Sequence, residues 1–519
     1  MNRTLLVQRM TANSPSSKKK RLVPYSPDGG WGWMVVIGTF FIHVVADGFT
    51  YSFGVLVDTL MKEFNSDNTV VALIISLLAG FTLGSGPLAS WVCNMYGCRA
   101  TAIIGAIIAS AGCTASYFAT AMWHIIVSVG IIIGIGSGLM YCPAIVSVTK
   151  YFERRRSLAT GIAITGAGVG TMVFSPINQF IIDRFGWRAV FLLFTGVFLA
   201  CVACGALFRP LPLREVSEED NTQETSEDVN RSHCLPKESS SMIKSEEQNP
   251  GELRENLDRS TESLRRSTIS TMSPEILQAM KDSPDEVFED AQENADNKEG
   301  SSMWRRISEN WLVSLLLDPI FLLFAISNLL SSVGFNSPLY FLPKHAESGV
   351  GLDPTSASAV LSAYGLSNSI GRLVFGIVSD HKLPLPYGWG NDRPRNRLWI
   401  YNISLSICGL LTAFCFLYKS YISLIVYASL HGFFLAAYIC LASVILVDLL
   451  GLDKLTNAFG LLLFWQGVGT VGGPPIAGLL ADISDSYALS FAFSGVNLLV
   501  SGLMLFCIPY FLKKEENTQ

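Results

Sequence analysis

Residues 159–183, ATGIAITGAGVGTMVFSPINQFIID, return at a constant offset of 299 positions as residues 458–482, AFGLLLFWQGVGTVGGPPIAGLLAD. Ala159, Gly161, Gly168, Val169, Gly170, Thr171, Pro176, Ile177 and Asp183 recur as Ala458, Gly460, Gly467, Val468, Gly469, Thr470, Pro475, Ile476 and Asp482. Nine identities in one register are hard to obtain by chance, even among the small residues of apolar helices. Each copy is uncharged up to its closing aspartate and long enough to cross a bilayer, which takes ~20 apolar residues. One spanning helix used twice implies that its surroundings are used twice as well. Apolar runs bear this out: 34–57, 69–92, 100–119, 123–148, 158–182 and 188–208 come before a long polar stretch, and 316–342, 356–380, 398–418, 421–447, 455–481 and 487–512 come after it. The predicted fold is all-α, with twelve transmembrane helices in two six-helix bundles.

Composition agrees. The 519 residues are 50 % hydrophobic and 15 % charged, against about 25 % charged in a soluble domain, and the mean hydropathy is +0.39. The net charge of −5 says little, because it averages apolar spans with one polar insert. Cys113, Cys142, Cys201, Cys204, Cys408 and Cys440 sit inside apolar runs without paired spacing. They read as small packing residues rather than a disulfide framework or a metal site. The first apolar run follows a polar tail and is long enough to span, so it reads as a first transmembrane helix rather than a cleaved leader.

Loop charges set the expected topology. Residues 1–30 form a tail carrying Lys18, Lys19, Lys20 and Arg21, and a basic flank before the first span places it in the cytoplasm. The even-numbered connections carry Arg99; Lys150 with Arg154, Arg155 and Arg156; Arg209 with Arg214; and Lys382 with Arg393, Arg395 and Arg397. Odd-numbered ones hold isolated cations such as Lys62, Lys344 and Lys419, with the Arg184/Arg188 pair as a mild exception. The bundles are expected at 31–208 and 312–512, with a cytoplasmic tail at 513–519. Between them, 209–311 is rich in Ser, Glu, Asp and Asn and nearly free of aromatics, which predicts a disordered cytoplasmic linker. Leu264-Arg-Arg-Ser-Thr268 within it has the look of a phosphorylation site, though so short a motif recurs often without that role.

Charged and titratable groups at membrane depth are few. Arg372 lies inside the run 356–380, where a cation costs roughly 3 kcal/mol or more unless it snorkels, pairs or faces a wet cavity. Snorkelling is the bland alternative, since Asp380 at the helix end is only about 12 Å away along the axis. His43 and Asp47 are four apart on the first span and so share one face, and His431 lies in the tenth. One reading sets Asp47 and Arg372 in a common cavity, Arg372 receiving an anionic group and Asp47 serving as counter-ion or proton carrier. The other pairs Asp47 locally with His43 as a structural contact. Phe49, Tyr51, Tyr364 and Phe434 are lower-grade cavity residues. Glycines four apart (Gly80/Gly84, Gly130/Gly134/Gly138, Gly166/Gly170) let backbones approach. Gly166-Ala-Gly-Val-Gly170 lacks the strand and βαβ context of a nucleotide loop.

Two six-helix halves related by a parallel repeat are the plan of major-facilitator transporters. Within that class, Pro27-Asp-Gly-Gly-Trp-Gly-Trp33 before the first span and Lys150-Tyr-Phe-Glu-Arg-Arg-Arg-Ser-Leu-Ala-Thr-Gly161 before the fifth resemble the two signature stretches of the monocarboxylate transporter family. Physically, the first stretch suits an anchor with Trp31 and Trp33 at the lipid boundary. The second makes Arg154, Arg155 and Arg156 a cationic cytoplasmic gate. The resemblance implies that Arg372 binds substrate. Lactate–proton carriers of the family have an acid four residues before that arginine and a lysine late in the first span; here Asn368 and Tyr51 stand there. Asn368 cannot carry a proton and Tyr51 supplies no cation, so the chain is similar to the less characterised, non-lactate branch. Members of that branch handle zwitterionic or larger solutes such as creatine, carnitine or aromatic amino acids, and a tenth-span charge near His431 sometimes joins the site.

The expected function is secondary transport of a monocarboxylate or related carboxylate-bearing solute across the plasma membrane by alternating access, with Arg372, Asn368, Tyr51, His431 and Phe434 at the substrate and Asp47 and His43 as proton or ion-pair residues. The alternatives are a facilitative carrier of zwitterionic or aromatic solutes without proton coupling, and a transporter-like receptor. A channel lacks its pore motif, and an enzyme lacks a clustered nucleophile and base. The expected partners are the small-molecule carboxylate or zwitterion, the lipid bilayer and a single-span accessory glycoprotein, with no nucleic acid, cofactor or metal.

Overall fold

The computed structural model describes residues 20–65, 68–217, 314–382, 391–484 and 486–510. Helix α1 (Trp31–Ser52) runs on past Phe53 as Gly54–Phe64. Residues 68–117 form α2 (68–96) and α3 (98–117), which turn at Gly97, where φ is 81° and a side chain would be strained. Then come α4 (Met122–Tyr151), α5 (Arg156–Phe185) and α6 (Trp187–Ala206). The second half contains α7 (Pro319–Lys344), α8 (Pro354–Ser379), α9 (Arg393–Ala413), α10 (Tyr421–Leu450), α11 (Leu455–Ser484) and α12 (Tyr487–Met504). Twelve helices therefore stand where the apolar runs predict them. The largest shift is at α9, which starts at Arg393 because Asp392 accepts from the Arg395 N–H and a proline occupies the first turn. That turn is polar, so hydropathy cannot see it.

Strands β1 (Lys20–Pro24) and β2 (Leu213–Ser217) pair in a two-stranded ribbon, the one departure from all-helical structure among the described residues. Two compact units result. Val23–Arg214 with Leu315–Gln519 holds all twelve helices; Met1–Leu22 with Glu215–Ser314 has few described residues beyond the strand ends. Residues 1–19 of the expected N-terminal tail, the expected tail at 513–519 and most of the 209–311 linker, with its Arg-Arg-Ser motif, lie outside the described residues.

Within the first bundle α1 packs on α5, and α3 on α4 and α6; within the second, α8 packs on α10, α9 on α12 and α7 on α11. The bundles meet along two seams, α5 with α8 and α2 with α11. The repeat explains both. Gly161 on α5 abuts the Arg372 carbonyl of α8, and its counterpart Gly460 on α11 abuts the Gly86 carbonyl of α2; a Cβ at either would stand 2.5 Å from that oxygen. Gly170 likewise meets the Val44 carbonyl of α1, and Gly469 the Leu329 carbonyl of α7. The recurring glycines are thus the close approaches of one packing scheme used twice.

Hydrogen bonds between the bundles gather at the end where α5 and α11 begin. Asp380, closing α8, accepts from the first backbone N–H groups of α5, Ser157 at 3.2 Å and Leu158 at 2.9 Å. Arg397 holds that carboxylate at 2.8 Å and Asp448 of α10 at 2.9 Å. At the other seam Ser90 donates to the Thr456 carbonyl (2.7 Å), Lys150 to the Thr456 hydroxyl (3.0 Å) and Asn94 to Asn457 (2.5 Å).

The two signature stretches meet at this same end. Asp28, with φ 52°, accepts from the Glu153 and Arg154 N–H groups at 2.8 Å each, and Ser26 donates to the Lys150 carbonyl. Trp31 donates to the Leu207 carbonyl (2.9 Å) beneath the Arg209 guanidinium, and Trp33 packs edge-on against Phe152. Both tryptophans are half-buried in these protein contacts, and Gly30, with φ 55°, lets the chain turn into α1 beside the α4–α5 turn.

Candidate functional site

Three residues at four-residue spacing on α1, His43, Asp47 and Tyr51, occupy one helix face. The same spacing on α7 aligns Ser332, Asn336 and Tyr340. Because α1 and α7 hold corresponding places in the two bundles, the stripes face each other across one cavity of about 990 Å³, a figure that includes the open space at its mouth. Tyr141 of α4, Ile164 of α5, Arg372 of α8, Tyr438 and Ser443 of α10, and Gln466 and Thr470 of α11 complete the wall.

Arg372 does not reach for the helix end. Its side chain is 7 % exposed, and one terminal nitrogen donates to the Ile164 carbonyl of the opposite bundle. Its Nε finds no protein partner, and no acid lies within ion-pair distance among the described residues. A buried guanidinium so lightly engaged keeps donors for an incoming anion. Asp47, half-buried in the same wall, is also without an ion pair at that range.

His43 is 1 % exposed, and its Nδ1 lies 2.8 Å from the Thr39 carbonyl. A carbonyl only accepts, so Nδ1 carries the proton and Nε2 is left with a lone pair. That Nε2 has no protein partner, and neither does the Ser443 hydroxyl. Tyr51 is 44 % exposed although it lies in the lining, so cavity space is what it faces. The opposing polar wall is pre-set: Gln466 donates to Asn328 (2.9 Å), Asn336 to Thr470 (3.2 Å), and the Tyr438 and Ser332 hydroxyls bond at 3.2 Å.

The structure thus brings Arg372, Asp47, His43 and Tyr51 together and sets the other sequence candidates elsewhere. Asn368 donates to the Gly432 carbonyl (2.8 Å) in the α8–α10 seam. His431 is buried with its Nδ1 3.1 Å from Thr412, between the rings of Tyr364 and Tyr427. Phe434 packs with Phe433 and Phe375, and Phe49 with Phe194 in the first bundle's core. Arg156 is buried and donates to the Thr149 and Phe152 carbonyls, whereas the side chains of Arg154 and Arg155 are exposed. The cation that crosses to the other bundle at this turn is Lys150. Tyr141, Asn336, Tyr340, Tyr438 and Gln466 escaped the sequence reading because single neutral polar residues are common in apolar helices; the α7 stripe was the available signal.

Comparison with known proteins bears on this arrangement. The profile of the Major Facilitator Superfamily matches residues 39–387 and 382–519. Monocarboxylate transporter 12-B of Danio rerio is 30 % identical over 97 % of this chain and 92 % of its own length. Monocarboxylate transporter 14 of Mus musculus is 30 % identical over 95 % and 93 %. Among solved structures, the proton:xylose symporter XylE bound to 6-bromo-6-deoxy-D-glucose superposes with a TM-score of 0.60 at 14 % identity, covering 92 % of this chain and 95 % of that one.

Proposed function

The chain belongs to the Major Facilitator Superfamily, on the branch of monocarboxylate transporters 12, 14 and 9, and from that premise we propose that it carries a small carboxylate-bearing solute by alternating access, with Arg372 receiving the carboxylate. It is an integral membrane transporter and not an enzyme. The observation that carries the proposal is a cavity lined by both bundles that holds an arginine with an unused donor and a carboxylate without an ion pair among the described residues. A soluble anion docking there gains a charge-assisted hydrogen bond. Rocking the bundles about the two glycine seams would move the cavity's mouth from one membrane face to the other.

Orientation follows from charge. Arg99, Lys150, Arg156, Arg209 and Arg397 belong to the connections at the bonded end, and cytoplasmic loops concentrate such cations. The bonded end is therefore the cytoplasmic one, both tails lie inside, and the described conformation opens outward. The plasma membrane is the proposed site of action, with a single-span glycoprotein as accessory partner. Lactate-type proton coupling through the acid before Arg372 is unsupported, since Asn368 is neutral and bonded to Gly432; Asp47 is the remaining acid in the cavity. The second reading, a zwitterionic solute, is favoured by that same Asp47 together with Tyr51, Tyr141, Tyr340 and Tyr438, whose rings suit a cationic group.

The test is uptake of labelled lactate, creatine, carnitine and tryptophan at two pH values, in cells expressing wild type, Arg372→Lys or Arg372→Ala at matched surface levels. Loss of uptake in both variants is expected. Unchanged uptake refutes the substrate role, and absence of any flux with retained solute binding would favour a receptor.

A further inference from the structure

Resting on the carboxylate reading of this cavity, we propose that His43 is a specificity residue: its Nε2 lone pair accepts a hydrogen bond from a hydroxyl or N–H group carried by the same solute. Three independent features set it up. The Thr39 carbonyl at 2.8 Å fixes the proton on Nδ1 and so fixes Nε2 as the acceptor. The Tyr141 ring, 5.0 Å away centroid to centroid, holds the imidazole in place. Burial to 1 % exposure in the cavity wall, without a protein partner, leaves an acceptor whose desolvation a donor from a solute reaching it would offset.

His43 and Arg372 belong to opposite bundles and line the same cavity. A solute with only a carboxylate engages the second bundle through Arg372. One that also carries a donor engages both bundles at once, so the donor contributes to the closure that commits the solute as well as to affinity. Asp47 lies one turn further from the bonded end, about 6 Å along the helix, and is half-buried where His43 is sealed. The acid suits a fully charged cationic group, while the imidazole reads a neutral or charged donor seated deeper.

The experiment uses the full chain reconstituted in liposomes and two matched acid sets. One is butyrate with its 2-, 3- and 4-hydroxy derivatives; the other is 3-phenylpropionate with 3-phenyllactate. The readout is the ratio of uptake, or of competition, between hydroxylated and plain acid. Wild type is expected to prefer a hydroxylated member about tenfold or more, the scale of one well-placed hydrogen bond. His43→Leu should bring the ratio to near one, and His43→Gln, which keeps an acceptor, should restore part of it. Asp47→Asn should leave this ratio in place while lowering preference for 4-aminobutyrate. Correct assembly is judged by a monodisperse elution profile. A wild-type ratio near one, or a ratio that survives His43→Leu, overturns the proposal, as does a ratio lost in Asp47→Asn instead. If no acid is taken up or competes while the methyl esters do, the carboxylate reading itself fails.

Discussion

Replacing Asp380 with asparagine tests whether the charged seam governs opening of the bonded end. The carboxylate accepts two backbone N–H groups from the start of α5 and one guanidinium N–H from Arg397, at 2.9–3.2 Å and 2.8 Å. Asparagine offers one acceptor oxygen, and its NH₂ would point a donor at another donor. One charge-assisted bond, about 1.5–3 kcal/mol, is lost, as is the favourable placing of a negative charge at a helix N-terminus, about 0.3–1 kcal/mol. Arg397 retains Asp448, which limits the damage to roughly 3 kcal/mol rather than the larger cost of stranding a buried cation. That shifts the closed-to-open equilibrium roughly a hundredfold. Cys440 is a native reporter, fully buried with its thiol on the Ser157 carbonyl across the seam. Its alkylation by a water-soluble maleimide, followed by peptide mass spectrometry, should accelerate by about that factor until the open state predominates. A rate within twofold of wild type in Asp380→Asn and in Arg397→Gln would show that the polar contacts are incidental to closure.

Asp47→Asn should abolish pH dependence of uptake while surface expression holds; full retention of that dependence removes Asp47 as a proton carrier. Gly467→Ala would place a methyl 2.7 Å from the Gly84 Cα, backbone against backbone, so the α2–α11 seam must part and uptake should fall severalfold more than with Gly472→Ala, whose site is open; equal uptake in the two variants would contradict the seam. Asp28→Ala deletes the acceptor of two backbone N–H groups at the α4–α5 turn, about 2 kcal/mol in total. It should lower the thermal midpoint in detergent more than Asp28→Asn does, and identical midpoints would count against the latch.

The number of helices, their grouping in sixes and the repeat were legible in the sequence because each depends on local facts. A span must be apolar over its whole length, and a duplicated helix keeps its glycines wherever it makes the same approach, as Gly161 and Gly460 do. Arg372 and Asp47 stood out because charge in a greasy helix is rare. Depth alone, however, could not separate Arg372, which lines the cavity, from His431, which fills a gap between Thr412, Tyr364 and Tyr427. Which way a side chain faces is decided by the helix packed against it, and that neighbour lies far away in sequence: Ile164 beside Arg372, Gly432 beside Asn368. The same holds for the signature stretches, whose residue types are plain in the sequence and whose partners are not. Folded, Asp28 caps the turn before Arg156, and the bond between bundles passes to Lys150 and Asp380. Local chemistry therefore settled which segments enter the membrane, while side-chain roles were settled by contacts between different helices, from Asn368 with Gly432 to Arg372 with Ile164, which only the assembled bundles bring together.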